Sequence, residues 1–187
     1  MRAFLAVPVT PPAYDDGVHL LDRLRAALPD VRWVRGEGLH LTLHFFASLD
    51  EAQADTVVGA ASGAVAGLQP YTAKIGGLGC FPRDGDERVL WIGMEEGQEQ
   101  TAALQRVVED ALQRQGFPRE ERAFTPHVTL GRPRRRFDEA ARTRWRRFAG
   151  ESLPAFAVEE VRLYRSHPGP GGSVYEVLAR LPLNAPR

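Results

Sequence analysis

Two short segments of the same design constrain this chain more than any other feature of its sequence. They are His40-Leu41-Thr42-Leu43 and His127-Val128-Thr129-Leu130, and each carries a histidine and a threonine two positions apart. Apolar and polar residues alternate from 39 to 45, which is the period of a β-strand with one apolar face. Residues i and i+2 of a strand point to the same side, so each motif presents an imidazole and a hydroxyl together. The repetition predicts two lobes whose motif strands face each other across a cleft; the alternative is two exposed strands that never meet.

The remaining pattern favours an α+β fold, because strands and helices are mixed without strict β-α-β alternation. We predict strands at 2–9, 39–45, 71–75, 89–94, 127–130, 156–164 and 174–181. We predict helices at 14–28, at 98–115 and at 138–149, and one further helix that begins at a Ser48-Leu49-Asp50-Glu51 capping box. Glycine-rich turns are predicted at 76–79 and 168–172, and a change of apolar parity predicts a β-bulge at Glu159-Glu160. Since no polar linker divides the chain, we expect residues 1–187 to form one bilobal domain, mainly antiparallel sheet with outer helices and a central cleft.

Length and composition exclude several classes of protein. A chain of 187 residues can bury about 70% of its unfolded surface, so it needs no disulfide or metal staple. Hydrophobic residues at 43% and charged residues at 26% exclude disorder as the main state. The single cysteine, Cys80, indicates a reducing compartment, and the lack of an 18-residue apolar run argues against a membrane span. We therefore expect a cytoplasmic protein with no membrane partner, a monomer by default.

The residue types of the two motifs suit the cleavage of a phosphodiester. Histidine exchanges protons near neutral pH because its unperturbed pKa is about 6.5, so one imidazole can act as general base and a second as general acid. Threonine hydroxyls can meanwhile hydrogen-bond the non-bridging phosphate oxygens. No metal or other cofactor is expected, because His40 and His44 on one strand would lie roughly 13 Å apart, too far to share an ion.

The motifs and their flanks resemble those of the 2H phosphoesterase superfamily, and within it the bacterial and archaeal RNA 2′,3′-cyclic phosphodiesterases, also called 2′-5′ RNA ligases. The similar stretches are Arg2-Ala3-Phe4-Leu5-Ala6-Val7, Gly38-Leu39-His40-Leu41-Thr42-Leu43 with Phe45-Phe46, Phe124-Thr125-Pro126-His127-Val128-Thr129-Leu130-Gly131-Arg132, Leu163-Tyr164-Arg165-Ser166 and Tyr175-Glu176-Val177-Leu178. This resemblance implies two lobes with pseudo-twofold symmetry. It also implies hydrolysis of a terminal RNA 2′,3′-cyclic phosphate to a 2′-phosphate, with 2′-5′ ligation as the same chemistry reversed, without ATP.

Carried onto this chain, the resemblance makes His40 the proton donor to the leaving 3′ oxygen and His127 the proton acceptor from water. Thr42 and Thr129 would hold the phosphate, and Arg132 would lie near the phosphate or the RNA. The chain departs from the family after the first motif, where Phe46-Ala47-Ser48 replaces a more usual Leu-Gly turn.

Two further side chains are candidate RNA contacts. His44 shares the face of His40 and Thr42 if the strand is regular, which makes it an RNA contact or an exposed strand-end histidine. Phe45 and Phe46 point to opposite sides, so one of them is free to stack on a base; we assign that contact to Phe46.

Charge leaves the partner and the function less constrained. The chain has 24 basic and 24 acidic residues, yet arginines cluster between 132 and 147. Such a cluster fits either an RNA backbone or an ordinary solvated helix face. Two rival functions stay open: a non-catalytic RNA-binding protein, and a phosphodiesterase acting on a small cyclic phosphate such as ADP-ribose cyclic phosphate.

Overall fold

The computed structural model describes residues 1–82, 85–169 and 172–184. In these ranges the strands are β1 (Ala3–Pro8), β2 (Val31–Trp33), β3 (His40–Phe46), β4 (Tyr71–Phe81), β5 (Val89–Glu96), β6 (Val128–Pro133), β7 (Phe156–Val158), β8 (Glu160–Gly169) and β9 (Gly172–Pro182). The α-helices are α1 (Ala13–Ala27), α2 (Glu51–Val65), α3 (Gln98–Arg114) and α4 (Glu139–Arg146). The predicted turn at 168–172 falls between β8 and β9, and its central Pro170-Gly171 lies outside the described residues.

The described strands form one antiparallel sheet in the order β7-β4-β5-β6-β3-β1-β8-β9, and β2 pairs with the far end of β6. Strands β7-β4-β5-β6 make up one half of this sheet and β3-β1-β8-β9 the other. The two halves meet where β3 pairs with β6. The prediction of an α+β fold built mainly from antiparallel sheet is therefore confirmed.

The helices pack on one face of the sheet and leave the other face open. Leucines of α1 and α3, such as Leu21 and Leu112, join one hydrophobic core with Leu5 of β1. Full burial of each such leucine contributes about 1.5–3 kcal/mol. Phe4 points the opposite way from Leu5 and joins a separate cluster with Tyr164 on the open face.

Three local predictions need correction. The glycine-rich segment at 76–79 is not a turn but an irregular stretch inside β4, where the register shifts between Ile75 and Leu78. Gly79 leaves room there for the Trp91 ring, which a side chain at that position would meet. The capping box of α2 is Asp50 with Gln53, not Ser48 with Glu51, since Asp50 Oδ1 accepts the Gln53 backbone N–H at 2.7 Å.

The predicted bulge at Glu159-Glu160 is instead a change of partner strand. β7 pairs with β4 in one half of the sheet, whereas β8 pairs with β1 in the other half. The apolar parity changes because the chain leaves one half and enters the other. In the described part of the chain, no helix combines the length and apolarity needed to cross a membrane.

Candidate active site

The sheet brings the two His-x-Thr motifs side by side. Leu41 in β3 is the register partner of Val128 in β6. One step along each strand from this pair therefore places His40 beside Thr129 and Thr42 beside His127. Diagonal neighbours in a regular antiparallel pair are about 7–8 Å apart, which is the relation between the two histidines. The four side chains form a quartet with histidines at one pair of opposite corners and threonines at the other.

A β-bulge follows the first motif. In the β1–β3 pair, Leu5 is opposite His44 and Ala6 is opposite Thr42, so Leu43 is an extra residue with no partner of its own. An extra residue of this kind reverses the faces of the residues that follow it. His44 therefore points into the core rather than to the side of Thr42.

A matching bulge follows the second motif. In the β5–β6 pair, Trp91 is opposite Thr129 and Leu90 is opposite Gly131, which leaves Leu130 as the extra residue. The bulges occupy equivalent positions, the leucine directly after each motif threonine. The two motifs are thus alike both in sequence and in the β-bulge that follows each threonine.

The two bulges decide which residues face the open side of the sheet. Phe45 and Arg132 occupy equivalent positions after their bulges, and both line the cleft. Phe46 and His44 are 5% and 4% exposed, respectively, and lie in the core, whereas Phe45 is 39% exposed. The burial of His44 and Phe46 contradicts the predictions that they contact RNA, and Phe45 is the phenylalanine whose ring is exposed in the cleft.

His44 contacts residues of the protein interior that connect different elements of the fold. Its Nδ1 is 3.8 Å from Glu109 Oε1 on α3, and its ring is 4.6 Å from that of Phe46. Burial lowers the pKa of His44, and the charges of Glu120 and Glu109 oppose that effect. Glu109 Oε1 also accepts the backbone N–H of Glu120 at 2.9 Å. This cluster connects β3 to the segment that leads into the second motif.

His40 is held by aromatic rings. It stacks on Phe4 with 4.6 Å between ring centroids, and Tyr175 meets its ring edge-on at 5.3 Å. Its Nδ1 is buried and has no hydrogen-bond partner among the described residues. Burial lowers the pKa of His40 to about 4, so the free imidazole is neutral at pH 7.

His127 is held by a hydrogen bond. Its Nδ1 is 2.6 Å from the backbone carbonyl oxygen of Thr125, and because a carbonyl can only accept, Nδ1 carries the proton. The neutral ring then has its lone pair on Nε2, as a general base requires. Burial lowers the pKa of His127, the Thr125 carbonyl opposes this, and the positive charge of Arg132 lowers the pKa further.

The open face holds a cleft of about 550 Å³ that three of the four quartet residues line: His40, Thr42 and Thr129. His127 lies half-buried beside Phe81 and Trp91 rather than in the cleft lining. Five arginines line the cleft, namely Arg2, Arg32, Arg35, Arg132 and Arg134, and no carboxylate does so among the described residues. Sequence reasoning singled out Arg132 and included Arg134 in the arginine cluster, but it missed Arg32, because a three-residue strand such as β2 has no periodicity to reveal it.

The arginine-rich segment between 132 and 147 is divided between two surroundings. Arg132 and Arg134 line the cleft, whereas Arg135 pairs with Asp30 and Arg142 with Glu87. Within the described ranges, no group of three or more His, Cys, Asp or Glu side chains is arranged to hold a metal ion. The cleft therefore offers proton exchange and positive charge to an anionic ligand.

A curled antiparallel sheet whose two central strands each carry a His-x-Thr motif beside an arginine-lined cleft defines a two-histidine (2H) phosphoesterase. Within this class the chain belongs to the 2′-5′ RNA ligase superfamily, whose family model matches residues 11–170.

Relatives of known name agree with this assignment. The chain is 34% identical over 182 residues to a protein of Methanothermobacter thermautotrophicus named RNA 2′,3′-cyclic phosphodiesterase, covering 94% of this chain and 95% of that protein. It is 33% identical over 178 residues to a protein of the same name from Archaeoglobus fulgidus, covering 95% and 98%.

Solved structures share the fold. The protein TT0787 of Thermus thermophilus has a TM-score of 0.82 with 24% identity, covering 98% of both chains. Escherichia coli LigT complexed with 3′-AMP has a TM-score of 0.77 with 24% identity and the same coverage.

Proposed function

We propose that this protein hydrolyses RNA ends that carry a 2′,3′-cyclic phosphate and leaves a 2′-phosphate. The observation that carries the proposal is the quartet, in which the two histidines and the two threonines surround the proposed position of the phosphate. Arg132 lines the cleft beside this position. The names of the relatives support the substrate class.

The proposed step is a displacement at phosphorus. His127 Nε2 takes a proton from water while the water oxygen forms a bond to phosphorus. The bond between phosphorus and the 3′ oxygen breaks, and His40 donates a proton to that oxygen. Hydroxyls of Thr42 and Thr129 donate hydrogen bonds to the non-bridging oxygens, and Arg132 offsets the charge that develops on them.

His40 must carry a proton to act as the acid, although its pKa in the free protein is about 4. An anionic phosphate bound beside the ring stabilises the imidazolium and raises that pKa. Binding of the substrate would therefore favour the protonated form of His40 that acts as the general acid. The same arrangement run in reverse, with a 5′-hydroxyl in place of water, would join RNA through a 2′-5′ bond.

The test is turnover of a short RNA that ends in a 2′,3′-cyclic phosphate, in EDTA, with identification of the monophosphate formed. We expect a 2′-phosphate from the wild-type protein. His40→Ala and His127→Ala should each lower kcat by about 10²–10⁴-fold, which is the usual contribution of general acid–base catalysis. His19→Ala, on the exposed face of α1, is the matched control and should keep full activity.

Each other outcome points to a specific revision. A 3′-phosphate product would overturn the assignment of the leaving oxygen, and a need for divalent metal would overturn the metal-independent mechanism. Activity that survives both histidine changes, in variants with unaltered circular dichroism, would exclude the quartet as the catalytic centre. RNA binding without turnover would favour a binding protein or a smaller cyclic substrate.

A further inference from the structure

A pair of like charges stands face to face beside the quartet. Arg32 in β2 is the register partner of Arg132 in β6, and both side chains are exposed in the cleft. Like charges directly opposite each other on neighbouring strands are destabilising. Among the described residues, neither guanidinium has a carboxylate within ion-pair distance, whereas Arg135 and Arg142 of the same region do.

Two more arginines extend this pair into two rows. Arg134 follows Arg132 in chain order after β6, and Arg35 lies between β2 and His40, and both line the same cleft. We call Arg32, Arg35, Arg132 and Arg134 the arginine track. Neighbouring strands are about 4.8 Å apart, so the two rows of the track are spaced to flank a single phosphate backbone.

Three members of the track, Arg32, Arg132 and Arg134, continue the line of the quartet in one direction, and Arg35 lies back towards His40. Along β6 the order is His127, Thr129, Arg132, and the opposite strands run in order through Thr42, His40 and Arg32. Leu130 is an extra residue, so Arg132 is two ladder steps past Thr129, which is about 7 Å at 3.3 Å per step. The Arg132 side chain is therefore within reach of the phosphate in the quartet, whereas Arg32, on the neighbouring strand, is placed to hold the next phosphate of the chain.

The other end of the cleft has a different character. Beyond Thr42 along β3 lies Phe45, and the guanidinium of Arg2 is 5.5 Å from its ring centroid. An exposed aromatic ring suits a base, and a row of guanidiniums suits phosphates. The cleft thus has one end for a nucleobase and one end for a backbone.

Given the phosphodiesterase function proposed above, on which this rests, we propose that the arginine track binds the backbone phosphates that lie 5′ of the cyclic end in a single-stranded RNA. The protein then acts more efficiently on RNA 3′ ends than on free cyclic nucleotides. The phosphates bound in the track neutralise the facing charges of Arg32 and Arg132.

The test compares substrates of two lengths in three proteins. The substrates are cytidine 2′,3′-cyclic phosphate and a tetranucleotide with the same cyclic end. The proteins are wild type, Arg32→Gln, and Arg144→Gln as a matched control, since Arg144 is an exposed arginine of α4 that does not line the cleft. We expect Arg32→Gln to lower kcat/KM for the tetranucleotide about tenfold and to leave the mononucleotide unchanged.

Salt dependence supplies a second readout. Loss of one phosphate contact should make the slope of log kcat/KM for the tetranucleotide against log salt concentration shallower by about 0.7. Arg144→Gln should change neither the rates nor the slope. Equal effects of Arg32→Gln on both substrates, or none on either, would overturn the proposal.

Binding separates failure of this proposal from failure of the proposed function. Affinity is measured for a tetranucleotide ending in a 2′-phosphate and for cytidine 2′-phosphate, without any need for turnover. A loss confined to the tetranucleotide in Arg32→Gln would support the track even if wild type hydrolysed neither cyclic substrate. Unchanged tetranucleotide affinity would reject the track even if hydrolysis were efficient.

Discussion

At the scale of single residues, the two histidines differ in how their rings are held. His127 has a fixed proton position because the Thr125 carbonyl oxygen accepts from Nδ1. His40 is held by ring contacts instead, and its Nδ1 has no hydrogen-bond partner among the described residues. The first arrangement suits a base with a defined lone pair, and the second suits a group whose protonation depends on what binds beside it.

The pKa values predict an acidic optimum for the free enzyme. The active form needs one proton on the histidine pair, and burial lowers the pKa of both His40, to about 4, and His127 from 6.5. Above pH 6.5 the pair loses that proton, so kcat/KM should fall about tenfold per pH unit. In the complex the phosphate anion raises the histidine pKa values, so the alkaline limb of kcat should lie at higher pH.

A pH series of initial rates with the cyclic-ended tetranucleotide measures both profiles. Each phosphodiester keeps its single negative charge throughout, so the phosphate groups of the substrate do not titrate. A kcat/KM that stays level up to pH 8 would contradict the lowered pKa values. Coincident limbs for kcat and kcat/KM would contradict the role of the bound phosphate.

At the scale of elements, the bulges determine what the motif strands present. The alternation in the sequence runs unbroken from 39 to 45, so it places His44 beside Thr42. In the pairing of β3 with β1, Leu43 is an extra residue, and His44 therefore points into the core. The sequence could predict the strand and its first motif residues, but not the bulge, because a bulge depends on the partner strand.

Phe45 and Phe46 test the bulge directly, because it gives adjacent aromatic residues opposite environments. Phe46→Ala removes a buried ring that packs edge-on against Phe117 at 5.6 Å, and should lower the free energy of unfolding by about 3–5 kcal/mol. Phe45→Ala removes an exposed ring and should change it by no more than about 0.5 kcal/mol. It should instead raise KM for the tetranucleotide about tenfold through lost stacking.

Urea unfolding and steady-state kinetics of the two variants provide the comparison, and each variant is the control for the other. A large stability loss in Phe45→Ala with little in Phe46→Ala would show a regular strand without the bulge. The change of partner strand between β7 and β8 escaped sequence reasoning for a similar reason, since only the sheet reveals which half each strand joins.

At the scale of the whole molecule, the two halves of the sheet share one core. Leu5 of β1 and Ile92 of β5 belong to the same hydrophobic cluster although their strands lie in different halves. We propose on this basis that residues 1–187 fold as one unit rather than as two separable lobes. Sequence patterns predicted the antiparallel α+β class and the paired motifs, but not that the motif strands are direct neighbours.

The diagonal placement of the histidines has a stereochemical consequence. If water arrives from the side of His127 and the 3′ oxygen departs on the side of His40, the entering and leaving oxygens lie on opposite sides of phosphorus. One such displacement inverts the configuration at that atom. A cyclic phosphorothioate of single handedness, opened in isotopically labelled water, should therefore give a product of inverted configuration. Retention would require either an adjacent displacement with pseudorotation at phosphorus or two successive displacements through a covalent adduct.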